Sequence, residues 1–210
     1  MHNDTSRPRM RATVPYRVPR GRHAGHAAPA ISPNRILAAA ALAGIAVLLL
    51  VFQDQFRDGE AVVAARLYSV ITPTLAAPGA PIVWFGLGSP GAFGLIITPD
   101  CSSALLITPL CVLGMGLAIP RRLALHRVCA GLAAAAALIV VGNLARIGLI
   151  AAMIRLCGMG TGYQLGHLVL GSLMSVLCIA LSIVMLALIV SASGARRMLR
   201  FLLHGPQGVA

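Results

Sequence analysis

The chain reads as an all-α polytopic membrane protein with about four transmembrane helices, an extracytoplasmic interfacial helix and a short β-hairpin. Three observations lead there. Of 210 residues, 58% are hydrophobic and only 10% are charged, and the mean hydropathy is +0.88, well outside the soluble globular range. The apolar residues gather into runs long enough to cross a bilayer. The net charge of +12 comes from arginine alone and concentrates at the ends of those runs, as a topology signal does. A nucleic-acid partner is excluded, because aromatic content is 4% and no basic helix or stacking motif accompanies the charge.

Residues 1–34 are rich in Arg, Pro, His and Ala without apolar periodicity, and predict a disordered basic cytoplasmic tail. The run Ile36–Phe52 opens a membrane-embedded domain over 35–194. It is followed by Gln53-Asp54-Gln55-Phe56-Arg57 and not by a small-residue cleavage site, so it predicts an uncleaved anchor. Gly59–Thr72 mixes Val62, Val63, Leu67, Val70 and Ile71 with Glu60 and Arg66 before Pro73, the composition of a helix lying in the membrane interface. Ile82–Leu87 and Ala92–Thr98 flank Gly88-Ser89-Pro90-Gly91 and predict a hairpin. The alternative is a pair of extra spans over Ala61–Ala77 and Ile82–Thr98, which leaves the sidedness downstream unchanged.

Three further spans follow. Cys101–Ile119 ends at Pro120-Arg121-Arg122, Val128–Ile154 carries Asn143 and Arg146, and Leu165–Val190 follows a short loop containing Gly158, Gly160 and Gly162. A second basic cytoplasmic tail occupies 195–210. Thirteen of the 17 arginines fall before the first span, in the Arg121–Arg127 loop or in this tail. The positive-inside rule therefore puts both termini in the cytoplasm of a multi-pass cell-membrane protein.

That orientation brings three residues to one height on the extracytoplasmic side. Cys101 opens its span from outside, on the first helical turn, where unpaired N–H groups favour thiolate. Arg146 lies about 27 Å along a helix that starts inside, and His167 stands at the outer start of the last span. Ionisable residues in apolar runs are costly and by default mark a site. Cys101, Arg146 and His167 are thus the candidate catalytic residues, with Asn143, Asp100 and Ser102 in support. Asn143 lies one turn before Arg146 on the same face. Asp100 either pairs with Arg146 or, preferably, caps the helix. Rival readings are a Cys101–Cys157 disulfide, a serine hydrolase using Ser102 or Ser103 with His167, and a non-enzymatic scaffold or small permease half. Cys111, Cys129 and Cys178 read as small apolar fillers. Five cysteines without paired short spacing predict no metal site, and no cofactor is expected.

Asp100-Cys101-Ser102-Ser103 opening a span, Asn143-Leu144-Ala145-Arg146-Ile147 within the next, and His167 four residues before Gly171 resemble the exosortase/archaeosortase family. The interfacial helix and hairpin also fit that family's arrangement, and the resemblance covers residues 59–190. It implies a membrane-embedded cysteine protease or transpeptidase in which Cys101, Arg146 and His167 are catalytic. The partners it implies are the lipid bilayer and exported proteins bearing a C-terminal sorting signal, that is, a motif, a hydrophobic span and a basic tail. Family members often carry Cys-Ser-Gly followed by a basic residue, whereas here Ser103 and Ala104 follow Ser102.

Overall fold

The structure is a computed structural model describing residues 32–204, with side chains described for 32–191. The proposed tail over 1–34 lies almost wholly outside the described residues. Helix α1 (Pro33–Val51) is followed after Phe52 alone by α2 (Gln53–Tyr68), then by strands β1 (Thr74–Ala76), β2 (Ile82–Phe85) and β3 (Phe93–Ile96). A 3-10 turn, Pro99–Cys101, leads into α3 (Ser103–Ala118) and α4 (Leu125–Cys157). The last run of helix comprises α5 (Met159–Tyr163), a π-helical stretch (Gln164–Gly171) and α6 (Ser172–His204).

Three helical runs are long and apolar enough to cross a membrane: Pro33–Val51, Leu125–Cys157 and Met159–Ser191. The span expected at Cys101–Ile119 is shorter. Its helix, α3, has 16 residues, about 24 Å of rise against a hydrocarbon core of about 30 Å. Pro99 and the extended backbone at Ser102 stop the helix from starting earlier. At its other end, Arg35 of α1 donates to the carbonyls of Ala118 (2.9 Å), Pro120 (2.6 Å) and Leu123 (2.7 Å). Those bonds satisfy acceptors that a helix C-terminus leaves open.

The all-α expectation needs amending. Residues 74–96 form a three-stranded antiparallel sheet in the order β1-β2-β3, pairing Leu75 with Trp84 and Val83 with Leu95. The hairpin was legible in the sequence; β1 was not, being three residues long between prolines. Strands over 82–96 also remove the alternative of two extra spans there. Val83, Phe85, Phe93 and Leu95 are buried while Trp84 and Ile96 are exposed, so the sheet covers the core with one face.

The helix expected at Gly59–Thr72 starts earlier, at Gln53, and stops at Tyr68. One face of it, Glu60, Ala61, Ala64 and Ala65, is buried against the rest of the protein. Alanines on that face allow α2 to pack closely on the sheet and α4. The result is one apolar core built from α2, the sheet and the Ile147–Ile154 end of α4. A second core joins α1, α3 and α6 to the Val128–Ile139 part of α4. Asn143 and Arg146, both buried, lie on α4 between the two.

The loop expected around Gly158, Gly160 and Gly162 contracts to Gly158 alone, whose φ of +79° breaks the helix. Gly162 and Gly166, a Gly-x-x-x-Gly pair, then press onto α4. A Cβ at Gly162 would overlap the Met153 carbonyl oxygen, and one at Gly166 would stand 3.0 Å from the Ile150 Cα. Such close backbone approach is the usual means of joining helices in lipid. His167, next to Gly166, therefore lies within the helix and not at its outer start.

Candidate active site

Thr98-Pro99-Asp100-Cys101 turns sharply, with the Cys101 N–H donating to the Thr98 carbonyl at 2.9 Å. Cys101 consequently precedes α3 and does not sit on its first helical turn. Ser102 is the N-cap, its Oγ accepting from the Ala104 N–H at 3.2 Å. This corrects the cap role expected of Asp100, whose side chain is exposed. Asp100 contributes its carbonyl oxygen instead, which accepts from Arg146 Nη1 at 3.1 Å. Arg146 is thereby held within one peptide unit of the thiol, and its buried Nε has no hydrogen-bond partner.

Cys101 Sγ lies 3.5 Å from His167 Nδ1, hydrogen-bonding distance for sulfur. Cys101 is 4% exposed and His167 is half-buried. The imidazole stacks on Tyr163, with ring centroids 5.1 Å apart and planes at 10°. One helical turn separates the two rings, so the stack fixes the plane in which Nδ1 meets the thiol. The π-helical stretch Gln164–Gly171 adds to that control, as widened turns commonly re-aim side chains at functional sites. Gly171 closes the stretch against Arg146: a Cβ there would stand 2.9 Å from Arg146 Nε and 2.8 Å from the Gly166 carbonyl oxygen.

The three candidate residues, 45 and 21 positions apart in sequence, thus meet around the Cys101 turn. The supporting residues behave differently from expectation. Asn143 is not hydrogen-bonded to Arg146; its Nδ2 donates to Glu60 Oε1 at 3.0 Å. Ser102 Oγ donates to Glu60 Oε2 at 2.7 Å and Ser103 Oγ to Glu60 Oε1 at 2.6 Å. Both serine hydroxyls are therefore engaged by a carboxylate, whereas the hydrogen-bonding contact of His167 is with Cys101. All five cysteines are free, with Cys101 buried and Cys157 exposed, so Cys101 and Cys157 are not paired.

Glu60 and Tyr163 are the site residues that sequence reasoning missed. Glu60 is the only glutamate in the chain, and a lone carboxylate beside alanines at positions 61, 64 and 65 was the available signal. Tyr163 precedes His167 by four residues, the spacing of stacked neighbours on a helix. A cleft of about 520 Å³ opens between the hairpin tip (Ser89, Gly91, Ala92, Phe93) and the α4–α5 break (Ile154, Arg155, Gly158, Met159), and none of Cys101, Arg146 and His167 lines it. Comparison with known protein families, with characterised proteins and with solved structures finds no match for this chain.

Proposed function

We propose that the chain is a membrane-embedded cysteine protease or transpeptidase of the exosortase/archaeosortase kind. It removes C-terminal sorting tails from exported proteins on the extracytoplasmic side. The observation that carries this reading is the contact between Cys101 Sγ and His167 Nδ1 beside a buried arginine. A thiol, an imidazole and a fixed cation form a nucleophile, a base and an oxyanion partner. The ordered motifs around Asp100–Ser103, Asn143–Ile147 and His167 support the family assignment.

In the reaction, His167 Nδ1 takes the thiol proton and Cys101 Sγ bonds to the carbonyl carbon of the scissile peptide. The carbonyl electron pair moves to oxygen, and the oxyanion is met by Arg146, whose Nε is a buried donor in want of an acceptor. Collapse of the tetrahedral intermediate breaks the C–N bond. The departing amine recovers the proton from His167, leaving a thioester on Cys101. An acceptor (water, an amine or a lipid headgroup) then attacks the thioester, giving its proton to His167 and from there to the sulfur. Such positioned proton transfer contributes about 10²–10⁴-fold.

The arginine asymmetry supports an orientation with both termini in the cytoplasm and the site outside. Two measurements in whole cells test the proposal together. An exported reporter ending in a motif, a hydrophobic span and a basic tail is expected to be shortened by the wild-type protein and left intact by His167→Ala. Cys157, exposed at the end of α4, should react with a membrane-impermeant maleimide in intact cells. Labelling of Cys157 only after permeabilisation would put the site on the wrong side of the membrane for this substrate.

A further inference from the structure

Glu60 and Arg146 are the two buried charged residues among those described. Only Arg146 has a part in the chemistry above. Glu60 accepts four hydrogen bonds: from Ser102 Oγ, Ser103 Oγ, the Ser103 N–H (3.0 Å) and Asn143 Nδ2. A carboxylate fits this place because every group facing it donates, and a carboxylate is an acceptor at both oxygens. Burying one is unfavourable unless its lone pairs are filled, and here they are.

The four bonds have a common direction. Ser102 and Ser103 directly follow Cys101, and Asn143 stands one turn before Arg146 on α4. Glu60 therefore ties the chain on the C-terminal side of Cys101 to α4 through Asn143. Arg146 ties the N-terminal side to the same helix through the Asp100 carbonyl. The turn carrying the nucleophile is held to α4 at both ends, and α4 is the helix on which Gly162 and Gly166 seat His167.

We infer that Glu60 is a positioning residue for this site, setting the contact of Cys101 with His167 by clamping Ser102 and Ser103 to α4. This inference rests on the proposed cysteine chemistry for its biological meaning, but the clamp is tested on the thiol alone. Glu60 touches neither sulfur nor imidazole, so it acts wholly through the residues it holds. Its three-bonded oxygen, Oε1, is the more important half. An amide oxygen can replace it, whereas an alanine replaces nothing.

The test uses the full-length protein in lipid nanodiscs. Rates of alkylation by iodoacetamide are read peptide by peptide in the mass spectrometer, with the exposed Cys157 as internal reference. His167→Ala is expected to slow Cys101 by about tenfold through loss of the base. Glu60→Ala is expected to slow it by a similar factor, and Glu60→Gln to restore most of the rate. The double variant Glu60→Ala/His167→Ala should be no slower than either single one, because both remove the same interaction. Should Glu60→Ala not fold, Glu60→Asp, one methylene too short to span Ser102 and Asn143, is expected to give the same loss. A wild-type Cys101 rate in folded Glu60→Ala or Glu60→Asp, or losses that multiply in the double variant, would overturn the clamp. A wild-type protein that processes no tail would overturn the peptidase proposal and leave this result standing.

Discussion

Replacing Cys101 with alanine is expected to lower tail processing by at least about 10⁴-fold, because loss of the nucleophile leaves only binding and oxyanion contacts behind. The fold should survive. Cys101 packs among Ile147, Ile150 and Ile97, and trimming one sulfur from such a site costs about 1 kcal/mol. Cys101→Ser is the sharper control, since it preserves size and the possibility of a bond to His167. A serine hydroxyl is a far weaker nucleophile than a thiol paired with imidazole, so this variant should be as inactive as alanine. Cys111→Ala should process normally, because its thiol is buried in the second core, which contains none of the three candidate residues. Processing by Cys101→Ala at the wild-type rate would favour the scaffold reading.

Arg146→Lys is expected to reduce the maximal rate by about 10²-fold or more with little change in apparent substrate affinity. Arginine here presents donors in two directions at once. Nη1 holds the Asp100 carbonyl at 3.1 Å, while the buried Nε is left over. Lysine keeps the charge and loses the rigid fork, so it can serve one direction only. Losing the Asp100 contact would also free one end of the Cys101 turn. A lysine variant within about threefold of wild type would mean that Arg146 supplies charge without direction.

Much of the site was legible in the sequence for a simple energetic reason. Cysteine at a turn, arginine within an apolar run and histidine among glycines are expensive or exceptional placements, and each stood out against the surrounding Leu, Ile and Ala. Their partners did not stand out. Glu60 sits in a segment with Asp54, Arg57, Asp58 and Arg66, where another carboxylate looks like ordinary surface charge. Its burial depends on Ala61, Ala64 and Ala65 letting α2 approach α4, a tertiary effect that local composition does not report. Asn143 stands one turn from Arg146 on α4, yet its amide N–H donates to Glu60, because a guanidinium offers donors only and cannot accept from it.

The fold followed the same division. Long apolar runs and proline-flanked β-branched stretches marked the helices and the hairpin. The continuous helix through Met159–His204 was obscured by three glycines that ordinarily signal a loop. Gly162 is there for close packing against α4, and of the three only Gly158 needs a backbone conformation closed to other residues. The 3-10 turn ahead of α3 was hidden by the apolar run beginning at Cys101. It has a functional consequence: Cys101 stands outside α3 and meets a histidine that arrives from another helix.

The most direct test is capture of the acyl-enzyme. The full-length protein is mixed with a tailed substrate in lipid, quenched in acid and digested for mass spectrometry. The expected result is a Cys101 peptide carrying the N-terminal part of the substrate as a thioester, accumulating in the absence of acceptor and discharged by neutral hydroxylamine as a hydroxamate. Cleavage of the tail with Cys101 unmodified throughout, or acylation of Ser102 or Ser103 in its place, would contradict it.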